Sequence, residues 1–332
     1  MEKVEKVIWG IIGAGDVCEI KSAPAMSQIE HSEVKMIMRR NAEKAADYAN
    51  RHGIKLWTTD ISELLNDPEI NAIYIATPPN THAELTQKVA KVGKAVYVEK
   101  PMANTYAECV SMIEVCQNAN VPLFVAYYRP ILPGFIKVKE LIESAAIGDI
   151  RFVKIEMFQP LQTDIISNLE NNWRVNPEIA GGGYFNDLAS HQLDFLNFLF
   201  GPIIEANANS GNQAHLYKAD DIVTATFRFG NGILGSGIWC FTTDIVSEKE
   251  TIHIVGSKGE ITFNTFGNPM IIVVRNSQDE LQEYKYSHAQ PIQKPLIQLI
   301  VDELRGVGFS PSKGISGART NWVMDQIVGK SK

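Results

Sequence analysis

Two places in this 332-residue chain set charged or proton-transferring side chains at spacings that could do chemistry. The first is Val96-Tyr97-Val98-Glu99-Lys100-Pro101. Its β-branched and aromatic run reads as a buried strand. Proline cannot donate to a sheet ladder, so the strand stops there. It also keeps Lys100 out of helical geometry, and the Lys100–Pro101 bond is open to the cis state. Lys100 is thus presented at the C-terminal tip of a central strand, the edge at which open α/β sheets bind ligands. The second place is Gly181-Gly182-Gly183 followed by the helix-length apolar pattern Tyr184 to Phe200. Asp187 and His191 are four apart and share a helix face, and Asp194 lies three beyond His191. A carboxylate beside an imidazole fixes its orientation and raises its basicity, which is the chemistry of a general acid or base. The competing reading is a polar pair that satisfies a helix start. The three glycines permit close approach of another group and tip the balance towards function.

The elements that position the lysine alternate. Val7 to Ile12 reads as a first strand and runs into Gly13-Ala14-Gly15-Asp16-Val17-Cys18. Such a turn lets backbone approach a pyrophosphate at the following helix start. Cys18 stands where the full fingerprint has its third glycine. Val34 to Met38 reads as a second strand ending in Arg39-Arg40-Asn41, with a helix from Ala42 to Arg51 closed by Gly53. An acid at that strand end would bind the ribose hydroxyls of NAD; two arginines favour the 2′-phosphate of NADP. Thr58-Thr59-Asp60 caps a helix over Ile61 to Leu65. Ala72 to Ala76 is a further buried strand, ending in Thr77-Pro78-Pro79-Asn80-Thr81-His82. Thr105 caps a helix through Asn118, and Val121 to Ala126 closes the series. Strands alternating with helices predict βαβ units and a doubly wound parallel sheet over residues 1–126.

From residue 127 the rhythm changes. A helix from Phe135 to Ser144 precedes an alternating strand, Ile150 to Phe158. Strands follow at Ile222 to Phe229, Ile233 to Phe241, Thr251 to Val255, Glu260 to Phe263 and Met270 to Val274. Gly230-Asn231-Gly232 and Gly256-Ser257-Lys258-Gly259 predict hairpins between neighbours. Residues 127–332 therefore read as an α+β domain with a large, mostly antiparallel open sheet.

Composition narrows the function. A hydrophobic share of 45% and a charged share of 21% suit a globular enzyme. The net charge of −7 argues against nucleic acid, and no polybasic patch addresses a membrane. The four cysteines show no metal spacing, so reduced core thiols and no metal are expected. No stretch is long and apolar enough to span a bilayer. Glu2 and Glu5 break the basic region a signal peptide needs, so a cytoplasmic protein is expected.

Taken together, the glycine turn, the Thr77–His82 turn, Glu99-Lys100-Pro101 and the Gly181–Gly183 stretch with Asp187 and His191 resemble the Gfo/Idh/MocA family of NAD(P)-dependent oxidoreductases. Ser316 to Trp322 is similar to that family's closing helix. The resemblance implies a Rossmann domain, then a domain whose open sheet makes homodimers or homotetramers. It implies hydride transfer with a sugar, cyclitol or related polyol or diol. Lys100 then matches the lysine that hydrogen-bonds the reacting oxygen, His191 the acid/base and Asp187 its orienting neighbour. Gly13, Ala14, Gly15, Asp16, Val17, Arg39 and Arg40 would serve the cofactor. Thr77, Pro78, Pro79, Asn80, His82, Glu99 and Lys100 would surround its nicotinamide end. Tyr128, Arg129, Trp173 and Arg174 would line the cleft, Arg129 from the cofactor side. Two alternatives belong to the same fold: a glycosidase that uses NAD transiently, and a non-catalytic NADP(H) sensor.

Overall fold

The computed structural model describes residues 2–161 and 172–329. The chain divides into two compact units, 1–128 with 289–318 and 129–288 with 319–332.

The first unit holds six strands: β1 (Val7–Ile12), β2 (Ser32–Met38), β3 (Leu56–Thr58), β4 (Ala72–Ile75), β5 (Ala95–Val98) and β6 (Leu123–Val125). All pair in parallel, in the order β3-β2-β1-β4-β5-β6. Helices cover both faces of such a sheet, so its central strands are apolar throughout: every residue of β4 and β5 is buried. The winding reverses between β1 and β4, and ligands bind at the carboxyl edge beside such a reversal. The turns carrying Gly13, Arg39, Thr77 and Lys100 all leave from that edge.

Residues 289–318, expected with 127–332 from the sequence pattern, group with the first unit in the structure. Their return to the first unit is held by specific bonds. Val4 N–H donates to Leu304 O, Ser312 Oγ donates to Val125 O, and Gln293 reaches the end of β5. None of these partners is near in sequence, so no local pattern announces them.

The second unit is built on eight strands: β7 (Ile150–Pro160), β8 (Ile203–Gly211), β9 (Ile222–Phe229), β10 (Leu234–Thr243), β11 (Lys249–Gly256), β12 (Gly259–Phe263), β13 (Met270–Asn276) and β14 (Leu281–Tyr286). Their order is β14-β13-β12-β11-β7-β10-β9-β8, antiparallel except where β7 meets β10. Alternate residues turn inward, among them Val153, Ile155 and Met157 on β7 and Ile252 and Ile254 on β11. The helices Pro133–Glu143 and Ser190–Phe200 bury their apolar sides on this face. Phe135, Phe195 and Phe263 meet edge to face, with centroids 4.7, 5.8 and 6.4 Å apart. Each such ring contributes about 1.5–3 kcal/mol by leaving water, so this cluster anchors the helix that carries His191.

Candidate active site

In the first unit, β1 ends in a turn only glycine can make at its first position. Gly13 has φ 87°, and a Cβ there would stand 2.6 Å from Thr77 Cγ2. At Gly15 the space is open. The helix that follows, Asp16–Ile20, is short. Ala14 and Cys18 are fully buried, whereas Asp16 is exposed and Val17 half-buried. Cys18 thus packs inward where a third glycine was expected. Burial pushes its thiol up to about 12, which makes it an inert core group.

Arg39 is half-buried and its N–H donates to Thr58 O, while Arg40 is exposed. Neither guanidinium is paired with a carboxylate among the described residues. In the next turn, Thr81 Oγ1 donates to Thr77 Oγ1, Pro79 is buried and Asn80 is exposed. His82 is wholly buried. Its Nε2 lies 2.8 Å from Thr77 O, and its Nδ1 lies 3.1 and 3.2 Å from Pro101 O and Met102 O. Burial pushes this imidazole below the ordinary histidine range. His82 therefore ties the turn after β4 to the turn after β5 and offers no ring edge to solvent.

Lys100 follows β5 through a cis Lys100–Pro101 bond and is half-buried. Glu99 beside it is 6% exposed and fully engaged. Its Oε1 accepts from Tyr74 Oη at 2.6 Å and from Gln293 Nε2 at 2.8 Å, and its Oε2 accepts from Lys100 N at 3.1 Å. Gln293 Oε1 in turn accepts from Tyr97 Oη at 2.9 Å. Burial, reinforced by the Glu99 charge, holds the Tyr74 phenol well above its usual range, so it stays a donor. Tyr74 and Gln293 are functional candidates that the sequence did not disclose. A tyrosine inside a buried strand needs a hydroxyl partner, which was the available signal for Tyr74. Gln293 had none.

In the second unit, Phe185–Ala189 winds as a π-helix before Ser190–Phe200 continues as an α-helix. Such widened turns frequently mark functional sites. His191 is 4% exposed, and its ring centroid lies 5.8 Å from Phe266 at 74°. Asp187 Oδ2 lies 3.3 Å from Arg174 Nε, and the Arg174 guanidinium rests 4.5 Å above Trp173. Asn172 donates to Tyr184 Oη. Trp173, Arg174 and Asp187 thus form one cluster. Arg129 is 5% exposed, donates to Thr265 O and lies 4.3 Å over Phe266. Arg129 and His191 therefore share one aromatic ring. Tyr128 is buried at the end of the first unit's continuous stretch. Phe266 went unrecognised because nothing near it in sequence points to His191.

Residues 7–127 match a family described as "Oxidoreductase family, NAD-binding Rossmann fold", and residues 135–262 match the "GFO/IDH/MocA C-terminal domain". The chain belongs to the Gfo/Idh/MocA family. It is therefore an oxidoreductase with an NAD-binding Rossmann unit. "Oxidoreductase P35" of Formosa agariphila is 37% identical over 98% of this chain and 99% of its own length. Levoglucosan dehydrogenase of Pseudarthrobacter phenanthrenivorans is 31% identical over 69% of this chain and 64% of its own. A solved levoglucosan dehydrogenase complex with NADH and levoglucosan superposes with TM-score 0.87 at 25% identity, covering 98% of this chain and 97% of that one. For a Gfo/Idh/MocA enzyme, the Gly13 turn provides the test of fit. A side chain at residue 13 would collide with the Thr77 turn, while the backbone at Gly15, just before Asp16–Ile20, stands in open space, which suits a dinucleotide. Among the described residues no helix is long and apolar enough to cross a membrane.

Proposed function

We propose that this enzyme transfers hydride between a nicotinamide dinucleotide and a sugar, cyclitol or related polyol, with Lys100 holding the reacting oxygen and His191 handling its proton. The bound cofactor supplies the hydride acceptor in oxidation and the donor in reduction. Lys100 donates to the substrate oxygen and stabilises negative charge as it develops there. In oxidation the His191 imidazole accepts the hydroxyl proton; in reduction the imidazolium returns it. Asp187 orients the imidazole, and Trp173 and Arg174 contact the substrate. Gly13, Gly15 and the 77–80 turn receive the cofactor. Arg39 and Arg40, unpaired with any carboxylate among the described residues, favour NADP over NAD. The relatives named for levoglucosan and myo-inositol support a cyclic polyol as substrate.

The observation that carries this reading is the end of β5, where a buried, triply bonded Glu99 is followed by Lys100. A purified sample is assayed with NADP+ and NAD+ against levoglucosan, myo-inositol and related polyols, as wild type and as Lys100→Met. Turnover should fall by about a hundredfold or more in the variant. Reduced-cofactor binding, followed by fluorescence, should stay unchanged. Near-wild-type turnover in Lys100→Met rejects the assignment. Tighter binding of NADPH than NADH gives the arginines their role, and the reverse returns them to a solvated turn.

A further inference from the structure

We propose that Glu250 is a positioning residue for His191, acting through Gln192 and Phe266. The inference rests on the acid/base reading of His191 but is tested apart from it. Glu250 stands on β11 at an inward position, in step with Ile252 and Ile254. An acid there interrupts an apolar face and needs partners. Its two oxygens reach in two directions. Oε1 accepts from Gln192 Nε2 at 2.8 Å, and Gln192 is the fully buried neighbour of His191. Oε2 accepts from the N–H groups of Thr265 and Phe266, at 2.6 and 3.1 Å. One carboxylate therefore grips both the helix that bears His191 and the backbone that bears the ring packed against it.

The far end of the chain of bonds is also closed. Trp239 Nε1 donates to Gln192 Oε1 at 2.7 Å. From Trp239 through Gln192 to Glu250 every donor meets an acceptor, and that polarity permits only one arrangement. A glutamine at 250 has one acceptor oxygen for two directions that both require one. If its amide turns to Gln192, then Gln192 must flip and present its own NH2 to Trp239. A donor faces a donor in either case. Exchanging the two side chains restores the polarity. The amide placed at position 250 accepts from residues 265 and 266 and donates to the carboxylate placed at position 192, which also accepts from Trp239.

Charge adds a second consequence. Among the described residues, the ionisable groups on the elements about His191 are Asp187 and Asp194 on its own segment, Arg174 paired with Asp187, Glu250 through Gln192, and Arg129 across Phe266. His288 feels Arg129, and Asp325 lies on the helix that contacts Asp194 through Thr320. Removing the Glu250 charge takes away support for the imidazolium, so the His191 midpoint should fall.

The experiment is an NMR titration of the histidine ring signals in the full-length protein without substrate, with His191 identified by its loss in His191→Asn. In Glu250→Gln the His191 midpoint should drop by about half a pH unit and its ring shifts should broaden. The double variant Gln192→Glu/Glu250→Gln should return the midpoint to or above wild type. Phe266→Leu, which leaves the hydrogen bonds intact, should displace the ring shifts on its own and keeps the test available if Glu250→Gln does not fold. A His191 titration identical to wild type in folded Glu250→Gln and Phe266→Leu overturns the proposal, as does a midpoint lowered in Glu250→Gln that the exchange fails to restore. Normal turnover by His191→Asn would instead reject the acid/base reading and leave the positioning result standing.

Discussion

Asp194 shows how a single buried group sets the response to pH. It is 6% exposed, and the one hydrogen bond to its carboxyl among the described contacts is a long one, 3.4 Å from Thr320 Oγ1. Burial holds its carboxyl well above the usual carboxylate range, outweighing the opposing hydrogen bond from that hydroxyl. The folded protein therefore keeps a proton there that the unfolded chain releases near pH 4. Where the folded state binds more protons, stability falls as pH rises, here from about pH 4 up to the folded midpoint. Asp194→Asn mimics the protonated group at every pH. Its melting temperature should match wild type near pH 4 and exceed it by a margin that grows towards pH 8. An advantage independent of pH would show that Asp194 is not held protonated. At this scale the sequence was legible where chemistry coincides with a chain break. Lys100 stood out because Pro101 follows it, and the Asp187–His191 stretch because three glycines precede it. Glu250, Phe266 and Gln293 stayed hidden because each acts across more than fifty residues of chain on a partner no local pattern names.

Elements were readable when they bury a face and obscure when they do not. The helix Tyr106–Asn118 begins at Thr105 with a reciprocal Thr105–Glu108 cap, a local signal fully visible in sequence. Both expected hairpins formed, β9 with β10 and β11 with β12. The strands the pattern did not reveal are β3, β8 and β14, all at sheet edges. β8 and β14 are mainly exposed and carry no clean alternation, whereas the edge strand β6 is buried throughout and was readable. The π-helical turn was equally invisible, since one extra residue per turn leaves an apolar pattern nearly unchanged. Its approach depends on Gly183, which has φ 68° and would place a Cβ 2.5 Å from that of Ala219. Gly183→Ala should cost about 1–3 kcal/mol of unfolding free energy, measured in denaturant. Cofactor binding, which rests on the other unit, should be retained. A variant as stable as wild type would mean that the 181–183 backbone relaxes without strain.

At the scale of the whole molecule, the unexplained surface is the outer side of the eight-stranded sheet. Its inner side is covered by helices, yet Phe152, Leu234 and Ile238 on the outer side are 42%, 52% and 38% exposed. Leu234 pairs in register with Phe152, and Ile238 with Glu156, so the three share one patch on β7 and β10. Around them Glu156 pairs with Lys154 on its own strand and with Lys249 on the neighbouring β11. An apolar centre with a charged rim is the composition of an interface. We propose that a second copy of this chain covers it. A carboxylate at the centre of such a contact would be buried without a partner, whereas on a free surface it would be solvated at little cost. Light scattering on the wild type should therefore give a multiple of the 36.9 kDa chain mass, and the pair Leu234→Glu and Ile238→Glu should reduce it to a single chain. The separated chain should keep its cofactor binding, because Gly13, Thr77 and Lys100 lie in the unit that does not carry this sheet. A wild type already of single-chain mass, or a double variant that remains oligomeric, would leave the outer face to solvent.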